Sequence, residues 1–134
     1  MGLMAIVLVL ILFQYMFFGV KVGGARVKFD IKAPAISGHP EFERLYRVQQ
    51  NTLEQLMVFI PLYLVFPVMA EAQGWMGYEI VSALGVLWLI GRFVYAGSYV
   101  KDPASRGKGF LIGFLATALL AIGTIAAAVL SFLG

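Results

Sequence analysis

Cysteine is absent from this chain, and histidine occurs once. The first absence excludes disulfides, thiolate metal sites and a cysteine nucleophile. Any thiol chemistry here must use a thiol that a substrate brings. The lone histidine, His39, precedes Pro40 in a loop and has no second ligand cluster near it, so no metal centre is expected. No glycine-rich phosphate loop or serine triad can be read. Charge is scarce as well: 13% of residues are Asp, Glu, Lys or Arg, about half the share of a soluble domain. Apolar residues make up 61% and mean hydropathy is +0.90. A chain of 134 residues makes at most one domain and has too little interior to hide that much apolar surface. A disordered chain, a nucleic-acid partner and an ordinary soluble enzyme are excluded. Membrane lipids must cover the remainder.

What is present are four long apolar runs, at about 3–20, 47–72, 75–99 and 109–133. Each is long enough to cross a hydrocarbon core about 30 Å thick. None alternates as a barrel strand would, so all four are read as helices that satisfy their own backbones. The expected fold class is an all-α integral membrane protein, a four-transmembrane-helix bundle. The first run has no basic residue before it and no clear small-residue cleavage site, so it reads as an uncleaved anchor. All ten basic residues fall on one side of this map, in or beside the first and third loops. The second loop has Glu71 and Glu79 and no base. The positive-inside rule places loops 1 and 3 in the cytoplasm and both termini outside.

Some of the charge lies inside the helical segments. Arg44, Arg47, Asn51 and Glu54 follow one another at steps of three, four and three, on one face of helix 2. Glu54 falls some two turns inside the apolar run, where an ionisable group is costly and is usually functional or paired. Arg92, Tyr95 and Tyr99 form a matching stripe on helix 3, and Arg106 and Lys108 open helix 4. One reading is a polar pocket for a ligand with more negative than positive groups. Arginine holds carboxylates through paired hydrogen bonds, Glu54 receives an ammonium, and the phenols donate to an anion. The other reading is internal pairing, such as Arg47 with Glu54, with the tyrosines in an interfacial aromatic belt. Of the remaining features, Gly109 and Gly113 predict close helix packing within or between subunits. Pro61 and Pro67 predict a kink in helix 2. Gln14 either bonds another helix or lies at the interface.

The segment Pro40–Glu54, PEFERLYRVQQNTLE, closely resembles the helix 2 pattern of the MAPEG family, the membrane-associated proteins in eicosanoid and glutathione metabolism. That pattern is roughly E-R-x-x-R-x-x-x-N-x-x-E, matched at Glu43, Arg44, Arg47, Asn51 and Glu54. The stretch GRFVYAGSYVKDPASRGKG is similar to the family's Arg…Tyr…Tyr…Arg segment. The resemblance spans essentially the whole chain. It implies a homotrimer with glutathione, as co-substrate, held between subunits near the cytoplasmic face. Carried over, it implies glutathione binding by Arg47, Asn51, Glu54, Tyr95 and Tyr99 of one subunit. Arg26 and Gln49 would come from its neighbour, with Arg44 and Arg92 in support. Arg106 matches the arginine that stabilises the thiolate in catalytic members, which fits the rule that a nearby cation raises the thiolate fraction.

There are departures. Where the family's leukotriene synthases carry a second arginine after the one matching Arg26, this chain has Val27. Gln55 stands where they have tyrosine, and Pro61 lies one turn further on than their proline. These features resemble the bacterial branch instead, which implies a bacterial inner membrane. The expected activity is a glutathione transferase or peroxidase acting on lipophilic electrophiles, serving detoxification. The alternatives are a non-catalytic lipid-binding or scaffold member, and a small four-helix proton exchanger with Glu54 as its coupling residue. An arginine-rich pocket would repel the cationic substrates of such an exchanger.

Overall fold

The computed structural model describes residues 1–134. Four helices, α1 (Gly2–Lys28), α2 (Pro40–Ala72), α3 (Gly77–Lys101) and α4 (Gly107–Leu133), are joined by short connections, with a 3-10 turn at Pro103–Ser105. All four are long and apolar enough to cross a membrane. The short connections run consecutive helices antiparallel. The α1–α2 and α3–α4 connections therefore share one end, here the basic end, with Arg26, Lys28, Lys101 and Arg106. The termini and the α2–α3 turn occupy the other.

Every helix reaches further toward the basic end than its apolar run. α1 continues eight residues past Val20, through Lys21, Arg26 and Lys28. α2 begins at Pro40 rather than near Arg47. The local chemistry explains that start. His39 accepts from the Glu41 N–H through Nδ1 at 3.1 Å, Pro40 takes the first helical position, and Glu41 and Glu43 lie in the first turn. His39 also stacks on Phe29, centroids 3.6 Å apart, and Lys28 pairs with Glu41 at 3.4 Å. His39 is thus a helix cap, not a free turn residue. The 33 residues of α2 rise about 50 Å. Measured back from the Gln73–Met76 turn, a hydrocarbon core of about 30 Å takes up roughly twenty of them. Arg44, Arg47 and Glu54 all lie in the basic-end half of α2.

The core lies between the helices at mid-height: Val7 and Ile11 of α1, Phe59, Tyr63 and Phe66 of α2, Val81 and Trp88 of α3, Ala116 and Leu120 of α4. Phe59 stacks on Trp88 at 4.8 Å. Only 29 of 134 residues are buried, because much of the apolar surface faces outward, as lipid requires. Gln14 is buried and donates from Nε2 to the Leu89 carbonyl at 2.9 Å, bonding α1 to α3. Helices α3 and α4 approach most closely at glycine. A Cβ on Gly109 would collide with the Tyr95 backbone nitrogen, and one on Gly91 would lie 2.9 Å from the Gly113 nitrogen. The close contact is therefore within the chain. It fixes the start of α4 against the stripe on α3.

Candidate functional site

At the basic end, α2, α3 and the start of α4 enclose a cavity of about 260 Å³ lined by Arg47, Asn51, Tyr95, Arg106 and Phe110. Three separate segments supply these side chains. The helical spacing of α2 puts Arg47 and Asn51 on one face. Close packing at Gly109 brings Arg106 and Phe110 beside Tyr95. Glu54 stands next to the cavity, its Oε1 accepting from Arg47 Nη1 at 3.3 Å. Both side chains of that pair are about half exposed (50% and 55%), so it is open to exchange with a ligand. Tyr99 stacks on Tyr95, centroids 5.6 Å apart, and braces it from one turn further along.

Arg92 does not face the cavity. It is 1% exposed and lies between α3 and α2. Its Nη2 donates to Asn51 Oδ1 and to Thr52 Oγ1, both at 2.8 Å. Its guanidinium carbon sits 4.2 Å from the centroid of the Tyr95 ring. The consequence is directional. With Oδ1 held by Arg92, Asn51 presents its amide N–H donors to the cavity. Arg92 is therefore a positioning residue behind two cavity residues, Asn51 and Tyr95. Arg44 is also occupied elsewhere: its Nη1 donates to the carbonyls of Val100 and Lys101, closing the end of α3. It contributes charge to the region but does not line the cavity.

Arg26 and Gln49 lie on the α1–α2 side and do not line it either. Arg26 donates to the Ala35 carbonyl at 2.7 Å and packs on Phe42, 4.8 Å from the ring centroid. Gln49 packs against α1 at Gly19, where a Cβ would lie 2.9 Å from its Nε2. Two residues of the site were not singled out from sequence. Thr52 is fully buried and takes one of the two Arg92 bonds; its signal was a hydroxyl one position after Asn51. Phe110 forms the apolar wall of the cavity and carried no signal within a uniformly apolar run.

The cavity joins two exposed guanidinium groups, amide donors and a phenol, with one carboxylate at its edge and an aromatic wall. Such a set suits an anionic ligand that also carries an ammonium. No cluster of His, Cys, Asp or Glu able to hold a metal ion occurs.

The MAPEG family model matches residues 4–126. The chain belongs to the MAPEG family. Among relatives of this MAPEG chain, the uncharacterised protein sll1147 of Synechocystis sp. is 36% identical over 121 residues, covering 90% of the present chain and 84% of that protein. Human microsomal glutathione S-transferase 2 is 35% identical over 121 residues, covering 90% and 78%. Bovine leukotriene C4 synthase is 32% identical over 115 residues, covering 82% and 72%. Family membership and the four apolar helices make this a membrane protein.

Proposed function

We propose that this MAPEG protein is a membrane-bound glutathione transferase or peroxidase that presents glutathione as its thiolate to electrophiles dissolved in the bilayer. The observation that carries the reading is the convergence of Arg47, Asn51, Tyr95 and Arg106 on one cavity at the basic end. The names of the transferase and synthase relatives agree with it. Glutathione is a co-substrate with two carboxylates, one ammonium and one thiol. Arg47 would take a carboxylate through its guanidinium fork. Glu54, released from Arg47, would take the ammonium. Asn51 donates from the amide that Arg92 orients, and Tyr95 donates its hydroxyl.

Arg106 stands at the start of α4, exposed and free of any carboxylate. There it would hold the sulfur as thiolate, a fixed positive group placed where negative charge resides. The Phe110 side of the cavity faces the apolar layer, from which the electrophile would arrive. In conjugation the sulfur attacks an electrophilic carbon, which loses a leaving group or is protonated after addition. In peroxide reduction it attacks the peroxide oxygen and the alcohol departs. A second glutathione then converts the resulting sulfenic acid to glutathione disulfide and water. The same site therefore serves both. In this reading the chain assembles as a homotrimer, and Arg26 and Gln49 complete the site of the neighbouring subunit. Their position on the α1–α2 side, away from the cavity of their own chain, agrees with that. The basic end would face the cytoplasm of a bacterial cell, by the positive-inside rule.

The test is a glutathione titration of detergent-purified protein with the ultraviolet thiolate band read alongside. We expect saturable binding with a thiolate signal in the parent protein. Arg106→Ala should retain binding and lose most of the signal. An unchanged band in Arg106→Ala would remove the assigned role. Binding without any thiolate signal, and without turnover over a broad electrophile panel, would favour a non-catalytic member instead.

A further inference from the structure

A second cavity, of about 330 Å³, lies on the other side of the α2–α3 pair, between α1 and α3 with α2 as its floor. It shares no lining residue with the arginine cavity. Its walls are apolar, with Phe17 and Phe18 of α1 facing Phe93 of α3. Phe93 meets the two edge-on, with centroids 6.5 and 6.0 Å away. Its rim at the basic end holds two lysines, Lys21 and Lys101, one from each wall. Both are exposed, and neither takes part in an ion pair. Asp102, which follows Lys101, turns its carboxylate to the Ala104 N–H and makes no ion pair with either lysine. The middle of the groove is left open at Gly97. A Cβ there would meet nothing within 4 Å.

We propose that this groove is a binding site for one anionic phospholipid, with an acyl chain between α1 and α3 and the phosphate between Lys21 and Lys101. The argument is one of matched position. The two lysines stand at the basic end of the groove, with Phe17 and Phe18 about one turn deeper along α1 and Phe93 about two turns deeper along α3. Two unpaired cations over an apolar slot complement an amphiphile with an anionic head and a hydrocarbon tail. They do not complement a zwitterion as well, because its ammonium would face Lys21 or Lys101. Near a membrane surface each lysine adds roughly 1 kcal/mol of attraction to anionic lipid, which for the pair corresponds to a preference of roughly thirtyfold.

Native mass spectrometry of the full chain released from bilayer discs tests this. The discs would hold equal parts phosphatidylglycerol and phosphatidylcholine with identical acyl chains. The parent protein should retain phosphatidylglycerol roughly thirtyfold over phosphatidylcholine. Lys21→Gln combined with Lys101→Gln should abolish that preference while some lipid remains bound. Gly97→Leu should fill the slot and remove retention of both lipids. Its Cβ meets no neighbouring atom, so the helix need not shift. Glutathione binding by both variants should match the parent, since none of these residues lines the arginine cavity. Should glutathione binding be lost, Gly97→Ser replaces Gly97→Leu as a smaller plug, with reduced lipid retention expected. Equal retention of the two lipids by the parent protein, or full retention by folded Gly97→Leu, would overturn the assignment. So would displacement of phosphatidylglycerol by glycerol phosphate alone, which would show that the acyl chain contributes nothing.

Discussion

Arg92 shows how one residue can serve a site that it does not touch. Its two hydrogen bonds reach adjacent residues of α2 with different exposures. Asn51 lines the cavity, and Thr52 is buried behind it. The two acceptors can therefore be separated by mutation. Thr52→Val removes a buried bond to a charged donor and should cost about 2 kcal/mol of stability. It should leave glutathione affinity nearly unchanged, because Asn51 keeps its orientation. Asn51→Ala should do the reverse. The ligand loses a donor and affinity falls roughly tenfold, with a smaller loss of melting temperature than in Thr52→Val. Thermal unfolding and glutathione titration on the same two proteins check both expectations. Equal effects of the two changes on affinity would mean that the Thr52 bond is needed to position the site and that the two acceptors cannot be separated. The sequence stripe Arg92, Tyr95, Tyr99 set the three residues on one helical face, with Arg92 given a supporting role. Spacing tells which side of a helix a residue occupies. It does not tell how deep that side is buried, and at Arg92 α2 covers it completely.

The element scale shows the same division between what pattern reveals and what packing decides. All four helices were legible, because an apolar run longer than a bilayer is thick has one physical solution. Their basic-end limits were not, since hydropathy reports where the hydrocarbon stops and the helices run on beyond it. The capping chemistry at His39 and Pro40 marks the true start of α2, and it lies outside the apolar run altogether. Glycine spacing was similarly half informative. Gly109 and Gly113 were singled out as a pair, yet only the first is sterically demanded. A Cβ on Gly113 would lie 3.8 Å from Trp88, an ordinary contact, whereas one on Gly109 strikes the Tyr95 backbone. Backbone cannot rotate aside as a side chain can. Gly109→Ala should thus push α4 off α3, cost about 2 kcal/mol or more, and weaken glutathione binding by moving Arg106 and Phe110 from Tyr95. Gly107→Ala, with nothing within 4 Å of its Cβ, should stay within about 0.5 kcal/mol of the parent. Thermal unfolding of the two variants side by side decides whether the glycine contact builds the site. A Gly109→Ala protein with parental stability and affinity would show that it does not.

At the scale of the whole molecule, the proposed site residues divide into two groups that a single chain does not unite. Arg47, Asn51, Tyr95 and Arg106 share one cavity, while Arg26 and Gln49 lie on the α1–α2 side. If glutathione needs both groups, a second copy must bring the second group. That division can be tested by complementation. One chain would carry Arg47→Ala and Asn51→Ala, the other Arg26→Ala and Gln49→Ala. Each alone should fail to bind glutathione. Co-expressed at equal levels and purified through two different tags, they should regain binding. A site forms when the cavity comes from a chain intact at Arg47 and the neighbouring face from a chain intact at Arg26. Purification through both tags leaves only trimers that contain both chains, and in each of these one interface of the three satisfies both conditions. The recovered stoichiometry should then be about one third of the parent's, with parental affinity at those sites. If one chain held the whole site, every chain in the mixture would carry a defect and no binding would return. Chains purified separately and mixed in detergent should also stay inactive until they exchange subunits, so the rate of recovery would follow subunit exchange and not ligand binding.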